Sequence, residues 1–299
     1  MVKKYADLYL DARKALLDYD GDSAALTARQ LLCKVSGKTP EALLRDRALY
    51  ASEEIGAALD AAVARHLQGE PLAYILGEWD FYGMTLTVTP DVLIPRDDTV
   101  AVTELAIKRT LFLDENPRVL DLCAGSGCIG LAIARRVKDA RVTLGEYSQA
   151  ALKVARKNVQ DLGLGGRVSC MQIDARQPAA PFLGQFDLIV SNPPYVTTAE
   201  MENLEPSVRD FEPHLALCGG ADGLDFYRAI VTNFTSALKP GGYLCFEFGM
   251  GQYDAVCQIL TEHQFEIVQS AEDAGGILRA VLAHDLREEE KHGNEKSGI

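Results

Sequence analysis

The chain reads as an α/β protein: a mostly parallel sheet with helices on both faces, preceded by a small all-helical domain and a β-hairpin. Three observations predict this. Residues 1–70 carry apolar side chains at helical spacing and no strand signal. Residues 71–96 turn to Thr, Val and aromatic alternation. From 97 to 284, short apolar runs alternate with helical stretches, the pattern of parallel strands joined by crossover helices.

In the first segment, Leu8, Ala12, Ala15, Leu16 and Tyr19 recur on one helical face, and Asp20-Gly21-Asp22 turns the chain. Leu26, Leu31, Leu32 and Val35 mark a second helix closed near Gly37. Thr39-Pro40-Glu41 is a helix start, with Thr as cap and Pro at the first helical position. In the second segment the hairpin is expected within Phe81–Val92, where Thr85 to Thr89 alternates, and Pro90 and Pro95 punctuate it. In the third, strands are expected at 118–123, 141–146, 168–173, 186–191, 242–248, 265–270 and 278–283, with helices at 149–162, 225–238 and 251–262 and one following the glycine-rich turn after Cys123. Met250, Leu260 and Phe265 read as core. The polar tail 285–299 is expected to be disordered.

No uninterrupted apolar run reaches membrane-spanning length and no apolar signal core follows the N-terminal lysines, so a cytoplasmic protein is expected. The seven cysteines form no CxxC pair, and the five histidines show no HxxxH or HExxH spacing. Reduced thiols and the absence of a metal site follow. Net charge is −13, and the tail contributes only −2 of it. Duplex binding rests on phosphate neutralisation by basic side chains, so the acidic body argues against a nucleic-acid partner.

Cys123-Ala124-Gly125-Ser126-Gly127 follows a strand and opens a helix. Glycines there let the backbone turn sharply and approach a ligand closely. Gly125, Gly127 and Gly130 also satisfy the dinucleotide fingerprint, with Glu146 placed 21 residues beyond Gly125. The loop alone does not separate NAD from S-adenosylmethionine (SAM), since both place an adenosine ribose where a carboxylate can accept its hydroxyl hydrogens.

Asn192-Pro193-Pro194-Tyr195 follows the strand Phe186–Ser191. Consecutive prolines supply no N–H and fix φ, so their carbonyls stay free in a stiff extended loop. The Asn192 side chain offers an acceptor and an NH₂ donor, and Tyr195 can clamp a planar group. The set suits gripping an NH₂ through side-chain and backbone acceptors beside an electrophile. Hydride transfer has no use for it, which favours SAM over NAD.

With Ile94-Pro95-Arg96, Phe211-Glu212-Pro213, Ala216-Leu217, Gly219-Gly220 and Asp222-Gly223-Leu224, these segments resemble the bacterial peptide chain release factor glutamine N5-methyltransferases over nearly the whole chain. The resemblance implies a Rossmann-like SAM-dependent methyltransferase domain (97–284), a helical substrate-docking domain (1–70) and a hairpin linker (71–96). It implies that Cys123, Ala124, Gly125, Ser126 and Gly127 line the methionine part of SAM. Glu146 would take the ribose hydroxyls, where the family more often has Asp, and Asp174 and Ala175 would flank the adenine. Asn192, Pro193, Pro194 and Tyr195 would hold the substrate glutamine, with Asn192 also beside the cofactor. The implied substrate is the glutamine of the Gly-Gly-Gln loop in class 1 release factors, modified by a monomer. The chain departs from the family's Pro-Arg-Pro-Glu-Thr-Glu at Pro95-Arg96-Asp97-Asp98-Thr99-Val100. The tetrapeptide does not exclude a ribosomal-protein glutamine; adenine-N6 enzymes of nucleic acid share it too, but they predict a basic face and base-stacking aromatics in an added recognition domain, and neither is evident in the sequence. Asp121 is expected to anchor the glycine loop, and Glu247, ending a strand, to be structural.

Overall fold

The computed structural model describes residues 2–287 and divides into two compact units. One is Met1–Trp79 with Thr87–Pro90 and Leu204–Glu212; the other is Asp80–Leu86, Asp91–Asn203 and Pro213–Ile299. The expected disorder of the tail falls, beyond Arg287, outside the described residues.

The first unit is built on helices Tyr5–Asp20, Ala24–Ser36, Pro40–Arg45, Glu53–Leu67 and Leu72–Leu76. Leu8, Ala12 and Leu16 of the first helix meet Ala28, Leu31 and Leu32 of the second and Leu59, Ala62 and Val63 of the fourth. This is the one-sided burial that helical spacing dictates. Thr39 caps the third helix as expected, its hydroxyl accepting from the Ala42 N–H at 3.2 Å. Ser52 does the same for the fourth through Ile55 at 3.3 Å.

The hairpin lies earlier than its residues suggested. Strands β1 (Glu78–Phe81) and β2 (Met84–Thr87) pair across a two-residue turn at Tyr82-Gly83. Both turn residues have positive φ, 49° and 70°, which matches the twist of paired strands. A tyrosine is an uncommon occupant of that conformation, so the turn carried no sequence signal. The helix Leu72–Leu76 precedes it inside the segment assigned to the hairpin.

The second unit contains β3 (Arg118–Leu122), β4 (Arg141–Glu146), β5 (Val168–Gln172), β6 (Phe186–Ser191), β7 (Leu238–Glu247), β8 (Phe265–Glu272) and β9 (Leu278–Asp285). They form one sheet in the order β5-β4-β3-β6-β7-β9-β8. The ladders from β5 through β7 are parallel, and β9 runs antiparallel to β7 and β8. The mostly parallel α/β class is therefore correct. Strand burial alternates between faces. Val119, Leu188 and Val190 pack with helices Thr99–Thr110 and Cys128–Arg136. Leu120, Leu122, Ile189 and Phe246 pack with Asp225–Phe234 and Tyr253–Glu262.

The strand β7 begins at Leu238, four residues before its expected start. Pro240-Gly241-Gly242 disguises it, because proline removes a ladder donor, and the β6–β7 register is irregular there. Helix Thr99–Thr110 is unassigned by the sequence reading. It is rich in β-branched residues that read poorly as helix, and Thr103 and Thr110 turn their hydroxyls back onto carbonyls four residues earlier at 2.7 Å. Met250 corrects the expected core: it is 74% exposed, in the turn between β7 and the following helix, while Leu260 and Phe265 are buried.

Strand order reverses between β3 and β6, where successive crossovers leave on opposite sides. Ligands of open α/β sheets bind at such a switch point, outside the carboxyl ends of the strands. Leu122 pairs with both Gly145 and Ser191, and Ser191 with Phe246. The residues that follow β3, β6 and β7 therefore emerge along one edge of the sheet, with Glu146 at the end of β4.

Candidate functional site

The loop after β3 is held by groups the sequence itself supplies. Cys123, Gly125 and Gly127 take positive φ of 58°, 54° and 84°. Gly125 and Gly127 adopt this freely, whereas Cys123 bears strain that the surrounding bonds must offset. Glu146 accepts from the Gly125 N–H at 2.9 Å through Oε2 and from the Ser148 N–H at 2.7 Å through Oε1. Asn158 donates from Nδ2 to the Ser126 carbonyl at 2.9 Å. Asp121, 1% exposed, accepts from the Gly130 N–H at 2.8 Å and anchors the first turn of the helix. Burial pushes its carboxyl up to about 7, against the lowering effect of that bond, and nearby Glu146 adds to the rise. Gly130 and Gly127 are required by close approach: an added Cβ on Gly127 would lie 2.8 Å from Leu144 Cδ1.

A cleft opens beside this loop. Cys123, Gly125, Glu146, Asp174, Ala175, Asn192 and Pro194 line it, with Ile173, Tyr147, Arg176 and Phe226. Ala124, Ser126 and Gly127 belong to the first of the two loops beside this cleft, and Pro193 and Tyr195 to the second. The donor set fits SAM. Glu146 keeps lone pairs for ribose hydroxyls, Ile173 and Ala175 offer an apolar surface for an adenine ring, and the acidic wall suits a sulfonium and an ammonium. Arg176 pairs with Asp174 at 3.1 Å, and its guanidinium carbon lies 5.5 Å from the Tyr147 ring centre and 5.9 Å from that of Phe226.

The loop after β6 is stiffened from several directions. Ser191, fully buried, donates its hydroxyl to the Leu122 carbonyl at 2.7 Å and ties the ends of β6 and β3 together. Gln252 donates from Nε2 to the Tyr195 carbonyl at 3.0 Å and accepts from the Gly249 N–H at 2.9 Å. The Gly219-Gly220 and Gly223 segment packs directly underneath. An added Cβ on Gly219 would lie 2.6 Å from the Pro194 carbonyl oxygen and 2.7 Å from Tyr195 Cα. Close approach to backbone, which no side chain permits, accounts for Gly219 and Gly223, whereas an added Cβ on Gly220 would run into the Asp225 carboxylate. Burial, with Glu247 nearby, pushes the Tyr195 phenol well above its ordinary range. Tyr195 therefore stays protonated and acts as a hydrogen donor or a packing surface, not as a base.

Two residues near Asn192 went unassigned to the site by sequence reasoning. Thr99 accepts from Asn192 Nδ2 at 3.3 Å, and Glu247 lies beside both at the end of β7. The Asp97-Asp98 departure also acquires a place: Asp98 pairs with Arg279 at 2.9 Å, and Arg279 with Asp273 at 2.8 Å. A lone acid ending a strand gives no signal of its neighbours, so only the sheet register could have found Glu247.

Comparison with known proteins accords with this geometry. Residues 102–206 match the methyltransferase small domain and residues 7–77 the PrmC N-terminal domain. The release factor glutamine methyltransferase of Geobacter sulfurreducens is 43% identical over 225 residues, spanning 75% of this chain and 77% of its own. That of Neisseria gonorrhoeae is 38% identical over 262 residues, 88% and 94% of the two chains. Among solved structures, the hMettl16 catalytic domain in complex with a MAT2A 3′UTR hairpin superposes with a TM-score of 0.55 at 12% identity, covering 81% of this chain and 86% of that one, a likeness of fold. The chain is a SAM-dependent methyltransferase, and it belongs to the release factor glutamine methyltransferase family.

Proposed function

We propose that the chain transfers a methyl group from SAM to the side-chain amide nitrogen of the glutamine in the Gly-Gly-Gln motif of class 1 translation release factors, in the cytoplasm. The observation that carries this reading is that Asn192 and Pro194 line the same cleft as Cys123, Glu146 and Asp174. Groups suited to an amide and groups suited to the cofactor thus line one space.

When bound, SAM supplies an electrophilic methyl on its sulfonium. The chain's own task is to prepare a poor nucleophile. An amide nitrogen shares its lone pair with the carbonyl, so it must be oriented and its hydrogens engaged. Asn192 Oδ1 and the Pro193 carbonyl would each take one hydrogen of the glutamine NH₂. That turns the nitrogen toward the cofactor and favours the positive charge that builds on it. No strong base is needed, because the methylated amide sheds its proton readily. Tyr195 would pack on the substrate.

The acceptors must be rigid for this to be effective, since a displaced acceptor no longer aligns the nitrogen. Pro193-Pro194, the Gln252 bond and the glycine bed below supply that rigidity. Substitution of Asn192 by Ala tests the assignment. Turnover on purified release factor should fall by about a hundredfold or more while SAM binding is largely kept, because the lost acceptor acts chiefly at the reacting amide. Near-normal turnover would mean that the tetrapeptide only shapes the loop.

The helical unit is proposed to dock a second part of the release factor. A pocket around one side chain cannot reject other glutamines, so selectivity needs remote contacts. Exposed Leu10 and Leu44 on the wall of a groove of about 500 Å³, with Tyr9, Arg29 and Arg47, support that role.

A further inference from the structure

We propose that Glu247, acting with Thr99, fixes the rotation of the Asn192 carboxamide so that its oxygen faces the substrate amide, and is thus a positioning residue for methyl transfer. The inference rests on the reading of Asn192 given above and extends it to residues outside the tetrapeptide.

Three elements bring the groups together. Ser191 of β6 pairs with Phe246 of β7, so the next residues along the two parallel strands, Asn192 just beyond β6 and Glu247 at the end of β7, lie side by side. Thr99 opens the helix Thr99–Thr110 and is 2% exposed. Asn192 Nδ2 donates to Thr99 Oγ1 at 3.3 Å. A hydroxyl carries a single hydrogen, so Thr99, accepting from Asn192, needs an acceptor for its own. The Glu247 carboxyl stands there, and hydrogen bonding from Thr99 and Asn192 both act on it, Thr99 the more strongly. Two oxygen acceptors, the Thr99 hydroxyl and the Glu247 carboxyl, thus hold the NH₂ end of Asn192. The reversed amide would set Asn192 Oδ1 against them and leave its donors pointing into the cleft. The held rotamer turns Oδ1 away from these two acceptors, and Asn192 lines the cleft, where an amide NH₂ needs an acceptor.

A purely packing role fits Glu247 poorly. Its side chain is 1% exposed, yet Oε2 has no hydrogen-bond partner among the described residues. Burying a carboxyl with an unpaired oxygen is unfavourable, and an apolar residue of similar volume would avoid that cost. Burial raises the carboxyl, consistent with a group kept in place against its own solvation. Tyr227 seals the position from behind, donating its hydroxyl to the Glu247 main-chain carbonyl at 2.9 Å.

The test compares four single variants in the full chain: Thr99→Val, Thr99→Ser, Glu247→Leu and Glu247→Gln. For each, kcat and KM on intact release factor, the Kd for S-adenosylhomocysteine and the thermal midpoint are measured. Thr99→Val and Glu247→Leu should lower kcat at least about tenfold with the S-adenosylhomocysteine Kd within about twofold. Thr99→Ser keeps the hydroxyl and Glu247→Gln keeps an acceptor oxygen, so each should recover most of the loss. The inference is overturned if Thr99→Val and Glu247→Leu keep kcat within about threefold of the parent, or if kcat falls only in proportion to lost cofactor binding and thermal stability. The Thr99 pair keeps the test decisive if Glu247→Leu does not fold. Loss of activity in Asn192→Ala with full activity in Thr99→Val would refute this inference alone; full activity in Asn192→Ala would refute the site reading beneath it.

Discussion

Replacing Glu146 by Gln should damage the cofactor loop and cofactor binding together. Glu146 takes two backbone N–H groups, Gly125 at 2.9 Å and Ser148 at 2.7 Å, one on each carboxyl oxygen. Gln is nearly isosteric but has one oxygen, so one N–H would face an NH₂. A hydrogen bond to a charged group is worth about 1.5–3 kcal/mol, and at 9% exposure Glu146 is little screened by solvent. The fold should therefore lose roughly 2 kcal/mol, a fall of about 4–8 °C in thermal midpoint. Cofactor binding should suffer further. The ribose loses a charged acceptor and Gly125 loses its tether, together about 1.4–2.8 kcal/mol, or ten- to a hundredfold in affinity. Titration calorimetry with S-adenosylhomocysteine, beside differential scanning calorimetry of the free protein, reads both quantities. An unchanged midpoint with a Kd within about twofold of the parent would show that Glu146 neither organises the loop nor meets the ribose.

Gly130→Ala should destabilise the fold by about 1–3 kcal/mol through overpacking, because the added Cβ would press on Leu144 and stand 3.0 Å from Asp121 Oδ2 and Val142 Cγ1; a chemical denaturation midpoint equal to the parent's would contradict this. Asp121 and Glu247, held at about 7 and about 8, lie above the ordinary carboxyl range. A raised folded-state pKa contributes stability that is fully present below the unfolded value of about 4 and is lost as pH rises through the folded values. The urea midpoint should then fall between about pH 4 and pH 8, and Glu247→Gln should flatten that fall; parallel curves would remove the burial argument for Glu247. Leu10→Asp and Leu44→Asp should lower kcat/KM on intact release factor about tenfold or more and leave a short Gly-Gly-Gln peptide unaffected, whereas equal loss on both would remove the docking role.

Much of this organisation is legible in the residues because it is local. The glycine loop, the Pro-Pro step and the strand alternation of Phe186–Ser191 each act through backbone conformation over a few positions. Thr39 as a cap is likewise a three-residue event. What escaped depends on partners distant in sequence. The hairpin turn at Tyr82-Gly83 is set by a backbone state that Tyr rarely adopts. The strand β7 starts behind a proline, and the helix Thr99–Thr110 is formed by residues whose intrinsic preference is extended. The neighbourhood of Asn192 is the strongest case. Thr99, Asn192 and Glu247 are far apart in the chain and meet only through sheet order and register, so Glu247 read as a lone structural acid. The glycines at 219 and 223 belong to the family resemblance, but their physical reason, a bed under Pro194 and Tyr195, lies in contacts distant in sequence.

The central claim concerns which atom receives the methyl group. The most direct measurement incubates the purified chain with SAM and an unmodified class 1 release factor, digests the product, and fragments the peptide that carries the Gly-Gly-Gln sequence by mass spectrometry. The account predicts one added methyl on the side-chain nitrogen of that glutamine, and none when Asn192→Ala replaces the parent enzyme. A methyl group on any other residue, or an unmodified glutamine beside a methylated nucleic acid in the same reaction, would contradict it.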